Sequence, residues 1–154
     1  MKFLNWFRKS TQPKGCVFLD GDQGIPALMA AFDRYAKGSE AYFIRQCAKE
    51  NIPHAMKDRD DMQKIYLSDF KARKETTDKF IAMMIAQKIK DGYTEFTVIS
   101  GDTDFVDIFK MAMIANPEMS FNFRFIIPKG SLVKESSNYT TWDDTECKLE
   151  IVRA

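Results

Sequence analysis

Ten consecutive residues constrain the fold most: Phe96, Thr97, Val98, Ile99, Ser100, Gly101, Asp102, Thr103, Asp104 and Phe105. The first four are apolar or β-branched and fit a buried strand; Ser-Gly-Asp-Thr-Asp then turns the chain, and an apolar pattern of helical period begins at Phe105. The stretch reads as strand, turn and helix. It leaves two carboxylates, one residue apart, at the carboxyl end of a buried strand, where open α/β sheets hold their ligands.

The rest of the chain repeats that alternation. Residues 16–22 form an apolar run ending in Asp20 and Asp22 and read as a first strand. Pro26 opens a helix over residues 27–35, closed by Lys37-Gly38-Ser39. Strands are expected at 41–45, 65–70, 96–99 and 121–127. Residues 50–63 form a polar connection, partly helical, and 71–75 a basic turn. Thr76 is expected as the N-cap of a helix over 77–90, where Phe80, Met83, Met84, Ala86 and Ile89 recur near 3.6-residue spacing. The helix over 105–115, capped by Thr103 or Asp104, is apolar nearly all round, which predicts burial. Residues 149–152 suggest an edge strand.

Strands alternating with helices predict an α/β fold, a three-layer α/β/α sandwich on a mainly parallel five-stranded sheet of order 3-2-1-4-5. In that order strands one and four are neighbours at the switch point, and their ends bring Asp20 and Asp102 together. No linker or repeat interrupts the chain, so one domain is expected over 1–154. Its core spans 16–128, preceded by a basic, aromatic segment over 1–14 and followed by an extension over 129–154.

Composition narrows the chemistry. At 154 residues, 45% hydrophobic and 29% charged, the chain can bury one real core, and a formal net charge of +1 advertises no global attraction to nucleic acid or membrane. Cys16, Cys47 and Cys147 are widely spaced and suit reduced thiols in a cytoplasmic protein rather than a disulfide frame or zinc site. With His54 the only histidine, a histidine triad is disfavoured and any metal would be held by oxygen, which points to Mg²⁺ or Mn²⁺. The apolar start, Met1 to Lys9, is too short and interrupted for a signal or membrane-spanning helix. Packing of its Trp and Phe side chains on the domain is preferred over lying on a membrane. Neither Gly-x-Gly-x-x-Gly nor Gly-x-x-x-x-Gly-Lys occurs, which weakens dinucleotide and P-loop readings.

Taken singly, Asp104 reads as a helix cap and Asp78 as a first-turn acid favoured by the helix dipole. Together with Asp20 and Asp102 they make an acidic cluster. Two carboxylates about 4 Å apart repel by roughly 4 kcal/mol at an effective dielectric near 20, a cost that a divalent cation removes. Acids that hold Mg²⁺ while leaving coordination positions to water and phosphate suit phosphodiester hydrolysis.

At these residues the chain also resembles a family. Val17-Phe18-Leu19-Asp20-Gly21-Asp22-Gln23, followed by Val98-Ile99-Ser100-Gly101-Asp102-Thr103-Asp104-Phe105, is similar to the NYN domain, a branch of the PIN-like nucleases, over about residues 16–128. The resemblance implies a parallel α/β/α sandwich and Mg²⁺- or Mn²⁺-dependent cleavage of RNA. It also implies Asp20, Asp78, Asp102 and Asp104 as catalytic and metal-binding acids, with Lys74 meeting a phosphate and Gln23 orienting water or substrate; Ser100 and Arg73 are expected to contact substrate beside them. One departure is Gln23, which stands where the family commonly has asparagine.

Two rivals remain. Asp20-x-Asp22 after an apolar strand resembles the nucleophile and acid of haloacid-dehalogenase phosphatases, with Gly101-Asp102 and Asp107 as the late metal motif and Lys74 as its lysine. Against it, Gly24 stands where threonine or valine is usual. The other rival is a catalytically weak module that binds RNA or a partner through Lys71, Arg73, Lys74, Lys79, Lys129 and Lys134, with Tyr42 and Phe43 offered for base stacking although at least one of them is expected in the core. The expected function is therefore a metal-dependent endoribonuclease acting on single-stranded or structured RNA, with no membrane span and a homodimer left open.

Overall fold

The computed structural model describes residues 13–68, 75–131, 141–144 and 146–154. Among them the chain forms an α/β fold with seven strands and four helices. In order these are β1 (Lys14–Asp20), α1 (Ile25–Tyr35), β2 (Ala41–Arg45), α2 (His54–Lys57), β3 (Gln63–Tyr66), α3 (Thr76–Lys90), β4 (Tyr93–Ile99), α4 (Asp104–Ala115), β5 (Phe121–Ile127), β6 (Trp142–Asp143) and β7 (Cys147–Arg153). A single 3₁₀ turn over Lys49–Asn51 precedes α2.

The strands make one sheet of order β3-β2-β1-β4-β5-β7-β6. All neighbours are parallel except β6, which runs antiparallel to β7. The expected sheet of five strands is thus corrected to seven. Residues 149–152 belong to a seven-residue strand that is interior and parallel to β5, and the two-residue β6 takes the edge.

Alternation along β1 sorts its side chains to two cores. Cys16 and Phe18 join Ile81, Ile85 and Ile89 of α3 and Phe105 and Phe109 of α4. Val17 and Leu19 join Leu28 and Phe32 of α1 and Met56 of α2. Helices therefore cover both faces, and the last five residues of β1 and the last four of β4 are buried throughout. That is the pattern of strands covered on both sides.

Local boundaries differ from expectation for physical reasons. α1 begins at Ile25 with Gly24 as N-cap and Pro26 in its first turn. α3 begins at Thr76 with Glu75 as N-cap and no side-chain capping bond. β3 ends at Tyr66, and residues 69–74 lie outside the described residues. α4 departs most: Phe105, Val106 and Phe109 are buried, but Met111 is 65% and Ile114 79% exposed. Its all-round apolarity does not mean all-round burial here, because α4 packs on one face of the sheet and turns its other side outward.

Candidate metal centre

Register brings the acids together. Leu19 pairs with Ile99 in the β1–β4 ladder, so the next residues, Asp20 and Ser100, lie side by side at the carboxyl edge. The Ser100 hydroxyl donates to Asp20 Oδ2 at 2.7 Å and accepts the Asp102 N–H at 3.0 Å. Asp102 Oδ1 in turn accepts the Asp104 N–H at 3.0 Å, so Asp102 serves the first turn of α4 while Thr103, the N-cap, makes no side-chain capping bond. Asp78 enters from the first turn of α3. One carboxylate oxygen from each of Asp78, Asp102 and Asp104 lies within 4.8 Å of the other two.

Asp20 stands beside this trio. It is 3% exposed, and its carboxylate accepts from Ser100, from the Gln23 amide at 3.2 Å and from the Asp22 N–H at 3.2 Å. Burial raises its pKa, and the hydrogen bonds from Ser100, Asp22 and Gln23 oppose that rise. The Asp78 carboxyl is pushed up to about 9, first by burial, then by its hydrogen bond to Asp102 and the charges of Asp102, Asp20 and Asp104. Asp104 is also raised, chiefly by the charge of Asp102. Electrostatics and distance agree that the four acids share one field, though only three share one contact point. The positive ends of α3 and α4, whose first turns hold Asp78 and Asp104, soften their repulsion.

Donor chemistry fits a hard divalent cation. Three carboxylates converge from two helix starts and one loop; among the described residues no histidine or cysteine joins them.

The remaining expected residues take varied places. Ser100 is fully buried with its hydroxyl engaged twice, so it positions Asp20 and Asp102 rather than facing substrate. Gln23 also holds Asp20. Lys74 and Arg73 lie outside the described residues, as do Lys71 and Lys134. Lys79 and Lys129 are exposed. Base stacking on Tyr42 and Phe43 is corrected: Tyr42 is 9% exposed and stacks on Phe18, and Phe43 is wholly buried.

Asp22 has a different duty from the acid of the phosphatase reading. Its Oδ1 accepts the Gln46 N–H at 3.0 Å and its Oδ2 accepts the Thr77 hydroxyl at 2.5 Å, tying the turn after β1 to the residue before Asp78. Both oxygens are occupied, which suits a brace and not a general acid. Asp107 is exposed in the first turn of α4.

Backbone packing explains the glycines. A Cβ on Gly21 would meet the Ile44 carbonyl at 2.6 Å, while its own N–H donates to that carbonyl at 2.7 Å. The Arg45 guanidinium also donates to the Gly21 carbonyl. A Cβ on Gly101 would meet Gln23 Oε1 at 2.7 Å and Ser131 Oγ at 3.1 Å. Thr77 and Ser131 are the residues that sequence reasoning missed. Ser131 had a signal, since Pro128-Lys129-Gly130 marks a turn at the carboxyl end of β5. Thr77 had none, because a threonine near a helix start reads as a cap.

No family model, curated protein or solved structure matches this chain.

Proposed function

We propose that the chain is a metal-dependent endoribonuclease of the PIN-like type, nearest in its motifs to the NYN branch. The convergence of Asp78, Asp102 and Asp104 within 4.8 Å, at the sheet edge where α/β folds place ligands, carries the reading. These three acids would hold Mg²⁺ or Mn²⁺, with Asp20 adding charge beside them. When bound, the cation supplies Lewis-acid activation of water and charge stabilisation on phosphorus. Ser100, Gln23 and the Asp22 N–H fix Asp20, and Asp22 steadies α3 through Thr77, so the acids are held before substrate arrives. Lys129, in the turn that brings Ser131 against Gly101, is a described base able to meet an RNA phosphate, and Lys74 and Arg73 are proposed for the same work.

The phosphatase reading needs Asp22 free as an acid, and its two engaged oxygens weigh against that. The test is cleavage of end-labelled single-stranded RNA in Mn²⁺ and in Mg²⁺, beside an EDTA control and Asp102→Asn. Metal-dependent fragments that vanish in the variant support the proposal. Wild-type protein that binds Mn²⁺ yet leaves single-stranded and hairpin RNA intact would sink it.

A further inference from the structure

The outer face of the helical layer carries a groove that the proposed nuclease chemistry does not use. It runs between α3 and α4, encloses about 400 Å³, and is walled by Ala82, Ile85 and Ala86 on one side and Ile108, Met111 and Ala112 on the other. Large apolar side chains are exposed on these same helices: Met83 is 57%, Met111 65% and Ile114 79% exposed. They are the exposed large apolar residues of the described chain; all three lie on the two helices that wall the groove, and Met111 lines it, which marks a contact surface. Four alanines, Ala82, Ala86, Ala112 and Ala115, leave the groove deep enough to take bulky side chains.

We propose that residues 3–7 of this same chain occupy the groove, with Phe3, Leu4, Trp6 and Phe7 supplying the bulk that its alanines lack. The path of the chain favours this occupant. β1 begins at Lys14, which pairs with Tyr93, and Tyr93 follows the end of α3 by three residues. The thirteen residues that precede Lys14 therefore join β1 at the end of the sheet where Ile89 and Lys90 of α3 and Ala115 and Asn116 line the groove. Five to ten residues suffice to climb it, since Ala82 to Ile89 is about 10 Å of helix at ~1.5 Å per residue.

The chain has two tryptophans, Trp6 and Trp142, and the Trp142 indole N–H has no hydrogen-bond partner, so Trp142→Phe isolates Trp6. The test measures Trp6 emission and acrylamide quenching in that full-length background at low micromolar protein. Docking predicts short-wavelength emission and slowed quenching, both reverting to the values of the urea-unfolded chain in Ala86→Glu and Met111→Glu, at exposed positions with folding checked by circular dichroism. A second readout spares Trp142: Trp6→Ala should lower the melting temperature of the natural chain and leave that of Met111→Glu unchanged. Solvent-like Trp6 emission in the parent, or protection indifferent to both groove variants, overturns the proposal. So does protection that appears only as protein concentration rises, which means a second copy, or only with anionic vesicles, which means a membrane surface.

Discussion

Replacing Asp102 by asparagine should stabilise the metal-free protein and abolish its response to Mn²⁺. Two full charges 4.8 Å apart, the outer limit of the acid trio, repel by roughly 3.5 kcal/mol at an effective dielectric near 20. Asp104 is exposed and Asp78 and Asp102 are half-buried, so water screens each pair to about 1–2 kcal/mol. Without a cation the cluster keeps a proton, and the Asp78 carboxyl rises from 3.8 to about 9. Below the unfolded value that acid is protonated in both states and changes nothing. Above it the unfolded chain releases a proton that the native state retains, so stability falls steadily as pH climbs toward 9. The asparagine keeps the side-chain oxygen that accepts the Asp104 N–H and removes one charge. In EDTA at pH 7.5 the variant should melt higher by roughly 2–8 °C, taking about 2–4 °C per kcal/mol for a chain of this size. It should also lose less stability than the natural protein between pH 5 and pH 8. Mn²⁺ at a hundredfold its dissociation constant should stabilise the natural protein by about 2.7 kcal/mol and the variant far less. Scanning calorimetry with and without EDTA measures all three. A variant that melts lower in EDTA, with Mn²⁺ shifting both proteins alike, would refute the idea of a repulsive cluster relieved by a cation.

Asp22→Ala removes the acceptor for Thr77 and Gln46, and Thr77→Val removes the donor, so each should weaken Mn²⁺ binding by about tenfold in calorimetric titration. The double variant should be little worse than either single one, because both cut the same brace. Gly21→Ala pushes a methyl against the Ile44 carbonyl and should destabilise by about 1–3 kcal/mol in urea, whereas Gly101→Ala meets side-chain rather than backbone atoms, those of Gln23 and Ser131, and should cost less while displacing Gln23 from Asp20. Arg59 grips Asp33 through two nitrogens and also bonds Asp61, and its guanidinium lies 5.6 Å from the Phe32 ring centroid. Arg59→Ala should lose about 1 kcal/mol, less in 1 M salt, and leave Mn²⁺ binding unchanged.

Strands covered on both sides declare themselves in sequence as apolar runs. β2 at Ala41–Arg45 falls where Ala-Tyr-Phe-Ile predicts, and β5 at Phe121–Ile127 falls where its phenylalanines and isoleucines predict although Asn122 and Arg124 interrupt them. β7 is harder to see, since Lys148 and Glu150 alternate with Cys147 and Leu149, and alternation is also what a solvated edge strand displays. Its interior place depends on β6, a two-residue strand with no periodicity to read. α4 shows the opposite failure: apolar residues all round announce burial, but they cannot say whether the covering surface lies in the sheet or beyond it. Met111 and Ile114 face away from the sheet that buries Phe109.

The site divides along the same physical line. Placements that follow from strand order were legible: with β1 beside β4, Asp20 and the turn that carries Asp102 and Asp104 reach the same edge, although the side chain that Asp20 meets there is Ser100, which sequence reasoning assigns to substrate. Side chains whose position depends on how a helix docks were not. Thr77 is 2% exposed because α3 leans its first turn onto the loop after β1, a tertiary contact between residues 55 apart. That lean is what carries Asp78 to within 4.8 Å of Asp102 and Asp104. Thus the acid contributed by α3 depends on a brace that sequence spacing cannot reveal. A side-chain substitution at Asp22 should therefore disturb Asp78 sooner than Asp20, whose side-chain partners Ser100 and Gln23 come from elsewhere and whose bond from the Asp22 N–H is kept.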